Sequence, residues 1–251
     1  MTDLLLPLSK YTPISLDEMD HVKLLDRIDT KFVIHEEQLQ GFLTEMSAHY
    51  NLLLINGQSL HPYETLYFDT PGFQLYMMHH NGKRNRFKVR CRKYVNSDIS
   101  FFEIKSKTNT SRTVKQRIQV DGIPETLNDT LTNYIAEHTP GDIQNYVPVL
   151  RVFFERLTLV NKNANERLTV DLNLRYKSNG SEMKVENLVI VEVKQENHSE
   201  SPFRKMMKLY RQPKNYLSKY CLGITCLNTE LKRNRFKQKI IALNRLGYDI
   251  H

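Results

Sequence analysis

Cysteine is scarce in this chain of 251 residues: Cys91, Cys221 and Cys226 are an odd number with no C-x-x-C spacing. That argues against a disulfide framework and a thiolate zinc site, and predicts buried thiols in a reducing compartment. Long hydrophobic runs are missing too. Nothing approaches the roughly 20 apolar residues that span a bilayer, and the Leu4-Leu5-Leu6-Pro7-Leu8 stretch has no basic segment before it, as a signal peptide would. A cytoplasmic location is therefore expected. The G-x-x-x-x-G-K-[ST] phosphate loop is absent, and Gly72, Gly82 and Gly122 read as turns. The nine histidines, His79-His80 among them, show neither H-x-x-x-H nor Cys/His ligand spacing, which favours surface or hydrogen-bonding roles over zinc. Internal repeats, low-complexity tracts and domain linkers are also lacking, so residues 1–251 read as one domain with a core at about 20–225.

Positive charge is plentiful, with 36 Lys plus Arg against 28 Asp plus Glu. The excess favours acidic partners without choosing among phosphate ligands, nucleic acid and anionic lipid. Its placement says more. Six segments alternate charged and apolar residues with a period of two: 27–32, 86–92, 101–107, 113–118, 167–173 and 189–194. In the clearest, Arg86, Lys88, Arg90 and Arg92 fall on one face of a strand, with Phe87, Val89 and Cys91 on the other. Glu103, Lys105 and Lys107 align in the next, and Lys115 and Arg117 in the one after.

Around these strands the chain predicts helices. Ser15-Leu16-Asp17-Glu18 is a capping box opening a short helix that ends near Asp26. Leu39, Phe42, Leu43 and Met46 mark a second helix within 35–50, and Leu127, Leu131, Tyr134 and Ile135 a third within 124–139. From Pro202 the pattern is helical again: Phe203, Met206, Met207 and Tyr210 share a face, 214–222 forms a further turn or two, and 228–246 is a basic closing helix. Its run Lys232-Arg233-Asn234-Arg235-Phe236-Lys237 reads as a solvated face, with peripheral docking on an anionic membrane partner or on polyphosphate as the alternative. The order of helices, antiparallel strands and helices gives an α+β fold.

Cations on one sheet face sit ~6.7 Å apart along a strand and ~4.8 Å apart between strands, within a Debye length of about 8 Å. They repel, and an enclosed face of this kind calls for a polyanion. The opposite parity, which includes Val89, Ile104, Leu168, Val170, Leu172, Leu174, Val189, Val191 and Val193, is apolar and asks for a cover of helices. The expected architecture is a closed antiparallel β-barrel tunnel of about eight strands, polar and charged inside and packed outside by helices. Glu103, Asp171 and Glu192 share parity with the cations. Carboxylates repel bare phosphate, but Mg²⁺ or Mn²⁺ accepts one or two of them together with phosphate oxygens, so the face suits a metal–polyphosphate complex. Asp171 and Asp29 are read equally well as groups that only orient Arg and Lys. Nucleic-acid binding is disfavoured because Phe87 and Ile104 lie away from the cations.

Asp29-Thr30-Lys31-Phe32, Tyr67-Phe68-Asp69-Thr70, Lys88-Val89-Arg90-Cys91-Arg92, Phe102-Glu103-Ile104-Lys105, Glu155-Arg156-Leu157-Thr158, Glu166-Arg167-Leu168-Thr169-Val170-Asp171, Val191-Glu192-Val193-Lys194 and Leu217-Ser218-Lys219-Tyr220 together resemble the VTC domain. This is the polyphosphate polymerase domain of the vacuolar transporter chaperone family, within the triphosphate tunnel metalloenzymes. The resemblance implies transfer of the γ-phosphoryl of ATP to inorganic polyphosphate with Mn²⁺ or Mg²⁺. It implies catalytic roles for Arg90, Arg92, Lys105, Arg156 and Lys219, phosphate binding by Lys31, Lys88, Lys115, Arg117, Arg167 and Lys194, and metal binding by Glu192 and Glu103. Nothing in these residues resembles the family's inositol-polyphosphate-sensing domain or membrane segments, so regulation or translocation by those parts is not expected of this stretch. The same tunnel with water as acceptor would be a tripolyphosphatase or nucleoside triphosphatase, and a polyanion- or RNA-binding module without catalysis is the remaining alternative.

Overall fold

The computed structural model describes residues 4–19, 28–109, 113–141, 143–196, 200–245, 247–248 and 250. Arg27, the expected helix continuation through Val22 and Lys23 to Asp26, and Ser111, Asp142 and Leu246 lie outside the described residues. Two short helices, α1 (Leu5–Leu8) and α2 (Leu16–Met19), flank strand β1 (Pro13–Ile14). The capping box forms as expected, the Ser15 backbone N–H donating to Glu18 Oε2 at 2.7 Å. Then come β2 (Ile28–His35), α3 (Glu36–Met46), β3 (Tyr50–Leu53), β4 (His61–Asp69), α4 (Gln74–His80), β5 (Arg86–Tyr94), β6 (Ile99–Lys107), β7 (Thr113–Val120) and α5 (Asp129–His138). The last third holds β8 (Val147–Asn161), β9 (Glu166–Ser178), β10 (Ser181–Lys184), β11 (Leu188–Gln195), α6 (Pro202–Leu209), α7 (Lys219–Leu227) and α8 (Asn234–Asn244). Strands β1, β3 and β10 were not expected, and α5, α7 and α8 occupy only parts of, or run beyond, the predicted helical stretches. Among the described residues no helix is long and apolar enough to cross a membrane.

Among the described residues the eleven strands belong to one sheet whose main path is β2-β11-β9-β8-β4-β5-β6-β7. The path is rolled. Glu192 of β11 and Lys31 of β2 act electrostatically on Lys105 of β6, although in a flat sheet β6 and β11 would stand about 24 Å apart. The roll does not close as the sequence led us to expect: among the described residues no ladder joins β2 to β7, so the sheet is a deep trough and not a hydrogen-bonded barrel. The reason lies at the free edge of β2. There the Asn215 backbone N–H donates to the Lys31 carbonyl at 2.7 Å, so the segment leading into α7 takes the position a closing strand would need.

The convex face carries the expected apolar parity. Over β2, β9 and β11, Phe32, Leu168, Val170, Val189 and Val191 pack beneath Leu39, Phe42 and Leu43 of α3 and Phe203, Met206 and Met207 of α6. Over β5 and β6, Val89, Cys91, Phe102 and Ile104 pack with Leu75 of α4 and Leu131 and Ile135 of α5. A third cluster contradicts the simple plan of core outside and charge inside. Helix α7 enters the concave side: Tyr220 stacks on Tyr67 at 4.9 Å, and Leu150, Val152, Leu174 and Tyr176 pack with Cys221, Leu222 and Ile224. Leu174, expected on the convex face, is thereby placed on the concave one. The cause is a register shift opposite Phe154, where Asn173 adopts φ 53° and adds one residue to β9. The extra residue reverses the alternation, so Leu174 and Tyr176 turn inward while Asp171 keeps its inward place. A Cβ at Gly223 would lie 2.5 Å from Tyr176 Cδ1, so only glycine lets α7 sit this deep.

Candidate active site

Register fixes which side chains share the trough. Lys88 pairs with Lys105, Arg90 with Glu103, Glu103 with Arg117, and Lys105 with Lys115. On the other wall Arg156 pairs with Asp171, and Glu192 with both Lys31 and Thr169. Directly paired residues point to one face. The predicted site residues are therefore brought together, with α7 adding Lys219 from its first turn.

Two carboxylates are clamped in the same manner. Glu103, fully buried, accepts from Arg90 Nε at 2.7 Å and Arg90 Nη2 at 2.6 Å, and its other oxygen meets Lys115 Nζ. Asp171 accepts from Arg156 Nε at 2.6 Å and Nη2 at 2.9 Å, and Lys219 Nζ also reaches it. Although burial pushes both acids up, the neighbouring cations, Arg90 first for Glu103 and Arg156 first for Asp171, hold them well below the usual carboxylate range. Glu192 differs. Among the described residues its oxygens meet two amines, Lys31 Nζ at 2.8 Å and Lys194 Nζ at 3.0 Å.

Cations outnumber what these acids can balance. Burial first, and like charges after it, pull Lys105, Lys115 and Lys194 down to about 8. Lys88 and Arg92 are lowered by the same causes. Tyr67 reports the field as well: burial pushes its phenol up, yet Arg90, Arg92 and Lys88 together bring it below its ordinary value. Lys88 bonds Ser218 Oγ at 2.9 Å and Arg92 bonds Thr65 Oγ1 at 3.3 Å. Among the described residues, Lys88, Arg92 and Lys105 meet no carboxylate at ion-pair distance, and Lys88 and Lys105 stand directly opposite each other on neighbouring strands. Like charges so placed destabilise a sheet unless an anion lies between them.

Arg117 and Arg167 stand at the edge of this group. Arg117 is exposed and lies 4.3 Å over the Phe101 ring. Arg167 Nη1 reaches Met19 Sδ at 3.7 Å. Phe87 and Ile104 lie away from the cations as expected, but Phe101 is an aromatic on the cationic face that this reading did not include. Phe101 pairs with Arg92, and Tyr63, Tyr94 and Phe154 share its side of the sheet. That signal was present in the alternation of 101–107, where Phe101 has the parity of Glu103. Asp69 is a second residue whose role the sequence did not reveal. Its carboxylate accepts from the backbone N–H groups of Leu75 at 2.8 Å and Tyr76 at 2.9 Å and from the Tyr220 hydroxyl, tying β4 to α4 and α7.

Among the described residues no group of three His, Cys, Asp or Glu side chains could hold a metal. The donor chemistry fits an ion that arrives with phosphate. Glu103 and Asp171 are each clamped by an arginine fork, whereas the two lysines on Glu192 are single-point partners that phosphate oxygens can draw away.

A family model for the VTC domain matches residues 26–228. The chain belongs to the VTC domain family. Solved structures similar to this VTC domain include the PH1819 protein of Pyrococcus horikoshii OT3, 12% identical, covering 78% of this chain and 97% of that one at a TM-score of 0.45. Another is HpAC1 from Hippeastrum, described as a putative adenylyl cyclase with a dominant triphosphatase activity, 12% identical, covering 79% and 96% at a TM-score of 0.46. No curated protein matches the chain.

Proposed function

We propose that the trough is the active site of a metal-assisted phosphotransferase that moves the γ-phosphoryl of ATP onto inorganic polyphosphate. The observation that carries this reading is the trio Lys88, Arg92 and Lys105, half-buried cations beside clamped acids, with no carboxylate of their own among the described residues. Membership of the VTC domain family supports chemistry on phosphates of this class.

Phosphoryl transfer is catalysed largely by placement and charge neutralisation, so the site needs no Ser, Cys or His nucleophile. An ionised terminal oxygen of the acceptor chain attacks the γ-phosphorus, the bond from that phosphorus to the β–γ bridging oxygen breaks, and ADP leaves with the electron pair. No proton need move. Lys88, Arg92 and Lys105 hold the donor's phosphate oxygens. Arg90 and Arg156, fixed by Glu103 and Asp171, present their remaining N–H groups to the charge that spreads over the transferring group. Lys31, Lys194 and Lys219 line the opposing wall, where Glu192 would hold Mn²⁺ or Mg²⁺. Bound there, the ion would neutralise β and γ oxygens.

Incubation with ATP and Mn²⁺ or Mg²⁺, followed by gel electrophoresis, tests the assignment. A ladder of long polyphosphate is the expected product. Orthophosphate without a ladder would make water the acceptor in the same site, and no turnover at all would remove the catalytic reading.

A further inference from the structure

The positive charge of the chain is unevenly spread. Residues 201–248 hold 12 of the 36 Lys plus Arg but one of the 28 Asp plus Glu, Glu230, so the rest of the chain, with 24 and 27, is slightly acidic and the whole positive excess lies in this stretch. Within it Lys219 is tied to Asp171 in the trough, and Lys208 pairs with Glu200 on the surface. Arg211, Lys214, Lys237, Lys239 and Arg245 are exposed and, among the described residues, meet no carboxylate at ion-pair distance. Large apolar side chains stand beside them. Leu209, 73% exposed, and Tyr216, 81% exposed, are the two most exposed of these among the described residues, and both lie between the end of α6 and the start of α7. Helix α8 meets this connection, since Tyr216, Phe236, Lys239 and Ile240 line one small cleft. The helix turns Phe236, Ile240 and Leu243 toward the protein and leaves Lys237, Ile241 and Arg245 outside.

A surface that only keeps a protein in solution mixes both signs of charge and hides its large apolar side chains. This one does the reverse on both counts. Inorganic polyphosphate would take up the charge but has no apolar surface for Leu209, Tyr216 and Ile241. Nucleic acid offers a base to Tyr216 and nothing to the two aliphatic residues. A bilayer surface satisfies every part: anionic headgroups attract exposed Lys and Arg, while Leu, Ile and the amphipathic Tyr ring enter the interfacial zone beneath them. We infer that the end of α6, the connection 210–218 and α8 form a docking surface for an anionic lipid bilayer. The surface lies beside the trough, because Asn215, next to Tyr216, bonds the Lys31 carbonyl at 2.7 Å. It does not depend on the trough's chemistry, and its residues are not those assigned to phosphate.

Flotation of the full chain with lipid vesicles tests the assignment. Wild type should bind about tenfold or more tightly to vesicles of equal phosphatidylcholine and phosphatidylglycerol than to phosphatidylcholine alone, and the preference should shrink as salt rises. Each Lys or Arg near an anionic membrane strengthens binding about fivefold, so Arg211→Glu/Lys214→Glu/Lys239→Glu should lose about 100-fold or more. Leu209→Ser/Tyr216→Ser keeps the charge and should still lose about tenfold. Both variants change exposed side chains, so each should keep the wild-type melting temperature and affinity for tripolyphosphate. Equal binding of wild type to the two kinds of vesicle would overturn the inference. Undiminished vesicle binding by the glutamate variant would do so too, by moving the lipid contact to the trough cations. Undiminished binding by the serine variant would overturn it by making the stretch a bare basic patch, suited to a polyanion such as emerging polyphosphate. Each of these results leaves the phosphate reading of the trough standing.

Discussion

One concave sheet face serves two opposite purposes along its length. Toward α7, Tyr67, Leu150, Val152, Leu174 and Tyr176 bury an apolar helix. Alongside it, across the same rungs of the sheet, Lys88, Arg90, Arg92, Lys105, Arg156 and Lys194 face one another with too few acids among them. The two regions share strands, twist and curvature, and differ in what fills them. The apolar region is satisfied within the chain. The cationic region is not, since its lysines are drawn down by burial and mutual repulsion. A face completed from within is structural, and one left with uncompensated charge is suited to an anion.

Substitutions that attack each region separately should break the comparison most visibly. Arg156→Ala leaves buried Asp171 with Lys219 as its remaining cation from the clamp, and removes a donor from the reacting group. We expect a rate loss of about 100-fold or more and a stability loss of about 3–5 kcal/mol, with Arg156→Lys intermediate because it keeps the charge and loses the fork. Gly223→Ala instead drives α7 off Tyr176 and Leu150, and overpacking of this kind costs about 1–3 kcal/mol. Thermal unfolding and product assays on both variants separate the effects. Full activity in Arg156→Ala would take the cationic region out of catalysis.

The next effect is smaller and concerns pH. Lys105, Lys115 and Lys194 titrate at about 8 in the folded chain and near ~10.4 when unfolded. Below pH 8 they are charged in both states, and the cost of burying that charge is fully present. Between these values the unfolded chain binds more protons than the folded one, so these groups make the ligand-free protein more stable as pH rises through the window. Anion binding runs the other way, because it needs the charged amines. Affinity for tripolyphosphate should weaken about tenfold from pH 7 to pH 9, equivalent to ~1.4 kcal/mol. A flat calorimetric profile would mean that these amines do not hold phosphate.

The comparison also explains what the sequence could reveal. Alternation at 86–92, 101–107, 113–118, 167–171 and 189–194 exposed the cationic face, because period-two placement is a local property of strands. The bulge was hidden, since Asn173 looks like any polar strand residue until its φ of 53° reverses the parity of Leu174. Closure was hidden for a different reason: the partner on the free edge of β2 is Asn215, far along the chain from Lys31, and no local pattern announces that contact. The division of labour among acids was likewise a matter of partners. Glu103 and Glu192 have the same parity, but one meets an arginine fork and the other two lysines.

Ser218 stands where the two regions meet, and it yields the smallest expected effect and the sharpest one. Its Oγ accepts from the Cys221 backbone N–H at 3.3 Å as the N-cap of α7, and from Lys88 Nζ at 2.9 Å. Ser218→Ala removes the cap, for about 1 kcal/mol, and releases Lys88 from the Ser218 hydroxyl. If the apolar region is purely structural, Ser218→Ala should lower the melting temperature by a few degrees, about what 1 kcal/mol gives in a chain of this size. Lys88 is oriented in the free protein by Ser218 but in the complex by phosphate, so affinity for tripolyphosphate should change less than threefold. A loss of affinity much larger than the loss of stability would show that α7 positions the phosphate site as well as filling the trough, and the boundary between the two regions would have to be drawn beyond Ser218.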